Sequence, residues 1–316
     1  MRYRGNKKRL LKRSANLLNT YGLWLKFFYQ SIMTLHICHQ VIKPITIMKA
    51  NCTLPLIAAL LAALFLSSTP QVASAQVDTI RLKDKRLNTA TLKPGMRQYL
   101  VYFQNPASPK VLRFWLWLRD TRITTRDGQK VFATTQHWYG GDTISYRSGY
   151  SINKVSDFSP VYHSETVAGK NKSFNWSNSR IAGADTVAGN TQKDMKMEFT
   201  SPCYNWNLDI ETFEMLPLAA GKTFAINFYD AGFGKPEYII YKVTGSEVIT
   251  TLDNQRVDCW KLFNESDNGG RHATETFWIS KKNHEFLKEE DAFGGMRRYK
   301  VKLPAAAPNL LVNLAK

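Results

Sequence analysis

Seven tryptophans stand out after position 75: Trp115, Trp117, Trp138, Trp176, Trp206, Trp260 and Trp278. Each can fill a core or offer a broad ring face to an apolar or sugar-bearing ligand. The run Lys110–Thr125 (KVLRFWLWLRDTRITT) decides between the two uses. In an extended chain Phe114, Leu116 and Leu118 point to one side and Trp115 and Trp117 to the other. The first set already gives that strand an apolar face. Trp115 and Trp117 are therefore the leading ligand-facing candidates, joined by Trp138 in the returning run VFATTQHWY.

Other chemistry is thinly represented. The four histidines after position 75 (His137, His163, His272 and His284) form no H-x-H or H-x-x-x-H pair, so zinc spacing is absent. There is no G-x-S-x-G elbow, no Walker loop and no dinucleotide-binding glycine set. Glu289, Glu290 and Asp291 are consecutive, and such charges are expected in a solvated turn. A glycosidase needs two carboxylates flanking one bond. A pair drawn from distant strands keeps a hydrolase acting on envelope polysaccharide open as the alternative. No catalytic residue, metal ligand or cofactor is assigned. Cys203 and Cys259 are an even pair and a candidate disulfide; two buried thiols are the other reading.

The formal net charge is +18, which would suit a nucleic-acid binder if it were clustered on the fold. It is not. Residues 1–75 hold ten Lys or Arg and no Asp or Glu, leaving 33 basic against 25 acidic residues beyond them. No nucleic-acid partner is expected. Lys49 precedes the apolar run LPLIAALLAALFL, and Ala73 and Ala75 occupy the small-residue positions of an A-x-A cleavage site. Residues 48–75 read as a secretory signal peptide starting at Met48, with cleavage between Ala75 and Gln76. Residues 1–47 read as an over-extended gene start or a basic leader. The expected location is the periplasm or cell envelope, with no integral membrane segment after cleavage.

The elements that must position the tryptophans follow from alternation and turn residues. Short apolar-alternating runs recur between clusters of Asp, Asn, Gly and Lys, the pattern of antiparallel strands joined by tight turns. Val77–Leu82 and Asn88–Leu92 are expected as short edge strands, and Arg126-Asp127-Gly128-Gln129 as a hairpin turn. Asn207–Leu216 breaks the alternation and predicts one short helix ending at Pro217. Glu237–Thr250 predicts one long strand bent at Gly245. The fold class is all-β with one short helix: a strongly curved antiparallel sheet, an open or half barrel with meander connections. Residues 76–303 form a single curved-sheet domain, or two similar halves at 76–204 and 205–303, and 304–316 form a flexible tail.

The stretch GSEVITTLDNQRVDCWKL, followed by TETFWISKKNHEFLKEE and MRRYKVKL and preceded by LPLAAGKTFAINFYD, resembles exported bacterial domains of unknown function. Those domains are similar in topology to lipoprotein carriers and receptors of the LolA/LolB type. The resemblance covers about Asn207–Leu303 and brings no catalytic residues. It implies an uncharacterised, non-enzymatic binding or carrier module for an apolar, lipid-like ligand or an envelope partner. A structural module that binds only protein is a further alternative.

Overall fold

The protein, seen here as a computed structural model, is described over residues 76–307 except 112, 142–145 and 269. The expected leader, its cleavage site and most of the tail lie outside the described residues. Among the described residues sixteen strands form one sheet in the order β1-β11-β12-β13-β14-β15-β16-β2-β3-β4-β5-β6-β7-β8-β9, with β10 also paired to β11. The first meander runs through β2 (Gly95–Gln104), β3 (Arg113–Arg126), β4 (Gln129–Tyr139), β5 (Arg147–Lys154), β6 (Pro160–Val167), β7 (Lys170–Trp176), β8 (Arg180–Gly183) and β9 (Lys196–Glu198). The second runs through β11 (Thr223–Tyr229), β12 (Glu237–Thr250), β13 (Arg256–Asn268), β14 (Arg271–Ser280), β15 (Phe286–Phe293) and β16 (Met296–Lys302). Antiparallel pairing of β16 with β2 joins the two meanders. The short strands β1 (Val77–Ile80) and β10 (Tyr204–Asn205) lie parallel to β11.

Local chemistry explains the turns and the curvature. Asp127 and Gly128 link β3 to β4 with φ of 50° and 74°, the left-handed pair that matches the twist of a two-residue hairpin. Gly245 has φ 147°, and the β12–β13 register shifts between Val243 and Gly245, so the long strand is bent by a bulge there. Further register shifts at Trp278/Ile279 and Ile152/Asn153 add to the bending. The result is a curved, unclosed sheet wrapped around one short helix.

That helix is α1 (Asp209–Glu214), preceded by a 3-10 turn at Trp206–Leu208. Six residues are too few to hold a helix in water. Burial holds it: Ile210, Glu211, Thr212, Phe213 and Glu214 are all enclosed on the concave side of the sheet. Phe213 lies 4.7 Å from Tyr241 and 4.8 Å from Phe277, ring centre to ring centre, and Phe224, Ile226, Leu262 and Phe286 complete the surrounding core. Each such side chain stabilises the fold by about 1.5–3 kcal/mol when fully buried.

Residues 88–92 depart from expectation. They form a 3-10 turn at Thr89–Thr91 rather than a strand. They cap α1 instead of pairing with the sheet: the Asn88 backbone N donates to Met215 O (2.9 Å), and the Thr91 side-chain Oγ1 donates to Glu214 O (2.9 Å). Among the described residues no helix is long and apolar enough to cross a membrane.

Candidate functional site

The alternation in β3 holds. The Trp115 and Trp117 side chains lie on the concave face with Arg119 and Thr121, and β4 lies alongside in register, pairing Trp117 with Trp138 and Arg119 with Gln136. All three candidate tryptophans thus share one wall. The Trp117 and Trp138 rings stack at 5.5 Å and 14°. The Arg147 guanidinium lies 4.8 Å from the Trp138 ring centre and that of Arg119 4.5 Å from Trp117. Lys300 reaches within 5.3 Å of the Trp117 ring. Trp117 is 3% exposed and belongs to the core. Trp115 and Trp138 are only partly buried, and so are Phe103, Trp206 and Ile239. Phe103 meets Trp115 edge-on at 5.1 Å.

The wall is tied to the turn before α1 through Asn207. Its carbonyl oxygen accepts from Gln136 Nε2 (2.8 Å) and Arg119 Nη2 (3.3 Å). Its Oδ1 accepts from Arg147 Nη2 (3.0 Å), and its Nδ2 donates to Asp230 Oδ1 (3.0 Å). Its backbone N–H is capped by Asn205 Oδ1 (3.0 Å). Glu211 and Glu214, one turn apart on α1, pair with Arg119 and Arg97, which are direct neighbours across β3 and β2. Helix spacing thus matches strand spacing, and the pairs fix how deep α1 sits.

A second group of charges lies on β14, β15 and β16. Glu275 sits opposite Asp291, and Asp291 opposite Arg298; one step along, Phe277, Glu289 and Lys300 form the next row. Lys300 Nζ donates to Glu289 Oε2 (2.6 Å), and Arg298 bonds both Glu289 (3.1 Å) and Asp291. Glu289 and Asp291 are 1% and 3% exposed. The expectation of a solvated turn is therefore corrected: these two point into the concave interior, while Glu290 between them points out and pairs with Lys288 (2.6 Å). Burial opposes ionisation of Glu289, but Lys300 and Arg298 outweigh it and hold its carboxyl below the usual range. Burial, then the Glu289 charge, pushes Asp291 up to about 8 and Glu275 up to about 7. Asp209, at the start of α1, is also raised by burial, offset in part by Lys300. Sequence reading missed this group because its charges gain meaning only from partners on other strands.

The candidate disulfide does not form. Cys203 and Cys259 are both free and buried. Cys203 packs with Phe174, Trp176 and Tyr229, whereas Cys259 packs with Trp278 and Leu287 in a separate cluster. Among the described residues no group of three or more His, Cys, Asp or Glu side chains is placed to hold a metal ion. Elsewhere a cleft of about 540 Å³ is lined by Glu247, Val257, Leu287, Lys302 and Pro304, among others, and by none of the three candidate tryptophans.

No curated protein matches the chain. Among solved structures, it is similar to a β-barrel-like protein of the domain of unknown function DUF1849 from Brucella abortus. That similarity has 7% identity and a TM-score of 0.45, over 67% of this chain and 96% of the other. Residues 98–302 match the family model of DUF3108, a protein family of unknown function, and the chain belongs to that family.

Proposed function

We propose that this protein is an exported, non-enzymatic binding or carrier module that holds an amphipathic, lipid-like ligand at the mouth of its half barrel. One observation carries the reading: Trp115, Trp138, Phe103, Trp206 and Ile239 remain only partly buried on a face whose interior is otherwise filled by α1 and its neighbours. Partly exposed rings above a packed interior give an apolar group somewhere to lie. The Arg147, Arg298 and carboxylate groups beside them suit a polar head. The carrier-type topology expected from Asn207–Leu303 and the signal-peptide pattern at 48–75 support the same reading, which includes location at the cell envelope. The hydrolytic alternative is less well served, since Glu289 and Asp291 are occupied by Arg298 and Lys300.

The test is mass spectrometry of lipids co-purifying with protein exported from its native host, with sequencing of the mature N-terminus. Recovery of a lipid-like species and a start at Gln76 is the expected result. Repeated recovery of empty protein overturns the carrier reading, and a start far from Gln76 overturns export through this leader.

A further inference from the structure

The outer face of β2 and β3 is open except along one row. Residues that alternate with Tyr99 and Trp117 point outward there, and they pair as Tyr102 with Phe114, Leu100 with Leu116, and Gln98 with Leu118. Phe114 is 55% exposed, Leu100 and Leu116 are partly buried, and Met96, beyond Gln98, is 39% exposed. Gln98 and Leu118 between them are 6% and 1% exposed. A solvated sheet face does not bury a leucine to that depth, since its row neighbours reach only its flanks. The start of a cover is visible where the chain leaves β16. Residues 304–307 turn back onto the sheet, with Ala307 N donating to Pro304 O (2.9 Å) and Gln98 Nε2 donating to Ala307 O (3.4 Å). That turn reaches Gln98, but Leu118 lies one strand further on, about 4.8 Å away. Past Leu118 the same face is hollowed: Met96, Asp120, Ala133, His137 and Tyr150 line a space of about 670 Å³ with it, running from β2 to β5.

We propose that this outer face is a docking surface for the chain's own C-terminal segment, residues 308–316, which crosses Leu118 toward β5 as a strap. The segment reads PNLLVNLAK, with four aliphatic side chains (Leu310, Leu311, Val312 and Leu314) and one charged side chain, Lys316. It begins directly after Ala307, at the edge of the row that is covered. Nine residues reach at most about 30 Å, and the path from β2 to β5 takes about 15 Å. Tethering keeps the segment at high effective concentration over the face, so a modest apolar contact suffices to hold it. Leu118 and the aliphatic side chains then bury one another. The strap takes the place of the flexible tail expected from the sequence at 304–316. It lies on the opposite side of the sheet from the tryptophan wall and does not depend on the ligand reading.

The experiment is hydrogen exchange followed by mass spectrometry on the protein from its native host, with no tag added at its C-terminus. Amides of residues 309–316 are expected to exchange about tenfold or more slowly than those of the free peptide PNLLVNLAK. Leu310→Asp with Leu314→Asp should restore the free-peptide rate. These two positions share a side in an extended chain and in a helical turn, and both lie beyond the last strand. A reporter at the covered row, Leu118→Cys, reads the cover directly, because the native thiols are buried. It should react with a thiol reagent about tenfold faster in the Leu310→Asp, Leu314→Asp background than in the parent. Exchange of 309–316 at the free-peptide rate in the parent overturns the strap. Equal reaction of the reporter in the two backgrounds overturns the claim that this segment covers Leu118. Protection that fades on dilution places the segment on a second copy and overturns docking within one chain.

Discussion

Glu211 and Arg119 meet in the interior, 92 residues apart in sequence, with Arg119 Nε donating to Glu211 Oε1 at 2.9 Å. Their side chains are 2% and 3% exposed. Burial works against ionisation of Glu211, and Arg119 is the main offset. Removing one partner strands the other charge. Glu211→Leu or Arg119→Met is therefore expected to cost about 3–5 kcal/mol, and the double replacement Arg119→Met with Glu211→Leu distinctly less than their sum. Urea unfolding of the three variants checks this. Additive losses would mean that the pair does not hold α1 against the sheet.

The mouth carboxylates set a pH dependence of stability. Asp291 and Glu275 are raised in the folded protein to about 8 and about 7. In the unfolded chain both ionise near about pH 4. Between these limits the folded state binds more protons than the unfolded one, so stability falls as pH rises. The contribution is complete below about pH 4 and lost as pH climbs through about 7 and 8. Glu289 is shifted the other way and acts at acid pH, below this window. The thermal midpoint is therefore expected to drop by several degrees from about pH 5 to about pH 9, and Glu275→Gln with Asp291→Asn to flatten that slope. A midpoint rising over the interval would contradict the burial of these groups.

Much of the architecture was legible from local chemistry. Alternation separated Trp115 and Trp117 from Phe114, Leu116 and Leu118, and the register of β3 keeps that division. Asp127-Gly128 fixed a hairpin, and Gly245 marked the bend in β12. These features depend on neighbours within a few residues. Residues 88–92 misled because their backbone partners, Glu214 and Met215, lie more than a hundred residues away. Glu289 and Asp291 misled for a related reason. A run of acids reads as solvated unless Arg298 and Lys300 are known to stand on the next strand and the concave face to be closed by α1.

The cysteines offer a separate check on the core. Burial pushes both thiols up to about 12, so neither is an effective nucleophile in the folded protein. A thiol-reactive aromatic disulfide is expected to leave the native protein unmodified and to label both sites after unfolding. Reductant should leave the thermal midpoint unchanged. An intact mass two hydrogens light under oxidising conditions would show that Cys203 and Cys259 can come together after all.

Trp115 and Trp138 separate packing from binding. Trp138 is stacked on Trp117 and covered by Arg147, so Trp138→Ala removes two ring contacts. Because the ring is only partly buried, its loss is expected to cost less than the about 3–5 kcal/mol of a fully enclosed tryptophan. Trp115 packs edge-on against Phe103 and is only partly buried against the core, so Trp115→Ala is expected to cost about 1 kcal/mol. Its effect on ligand affinity should be larger, about tenfold, since the ring face it offers is what an apolar group would cover. The comparison needs one unfolding curve and one titration with octanol per variant. If Trp115→Ala lost stability but bound octanol as the parent does, Trp115 would belong to the core and the apolar part of the ligand would have to lie on Trp138 and Trp206 instead.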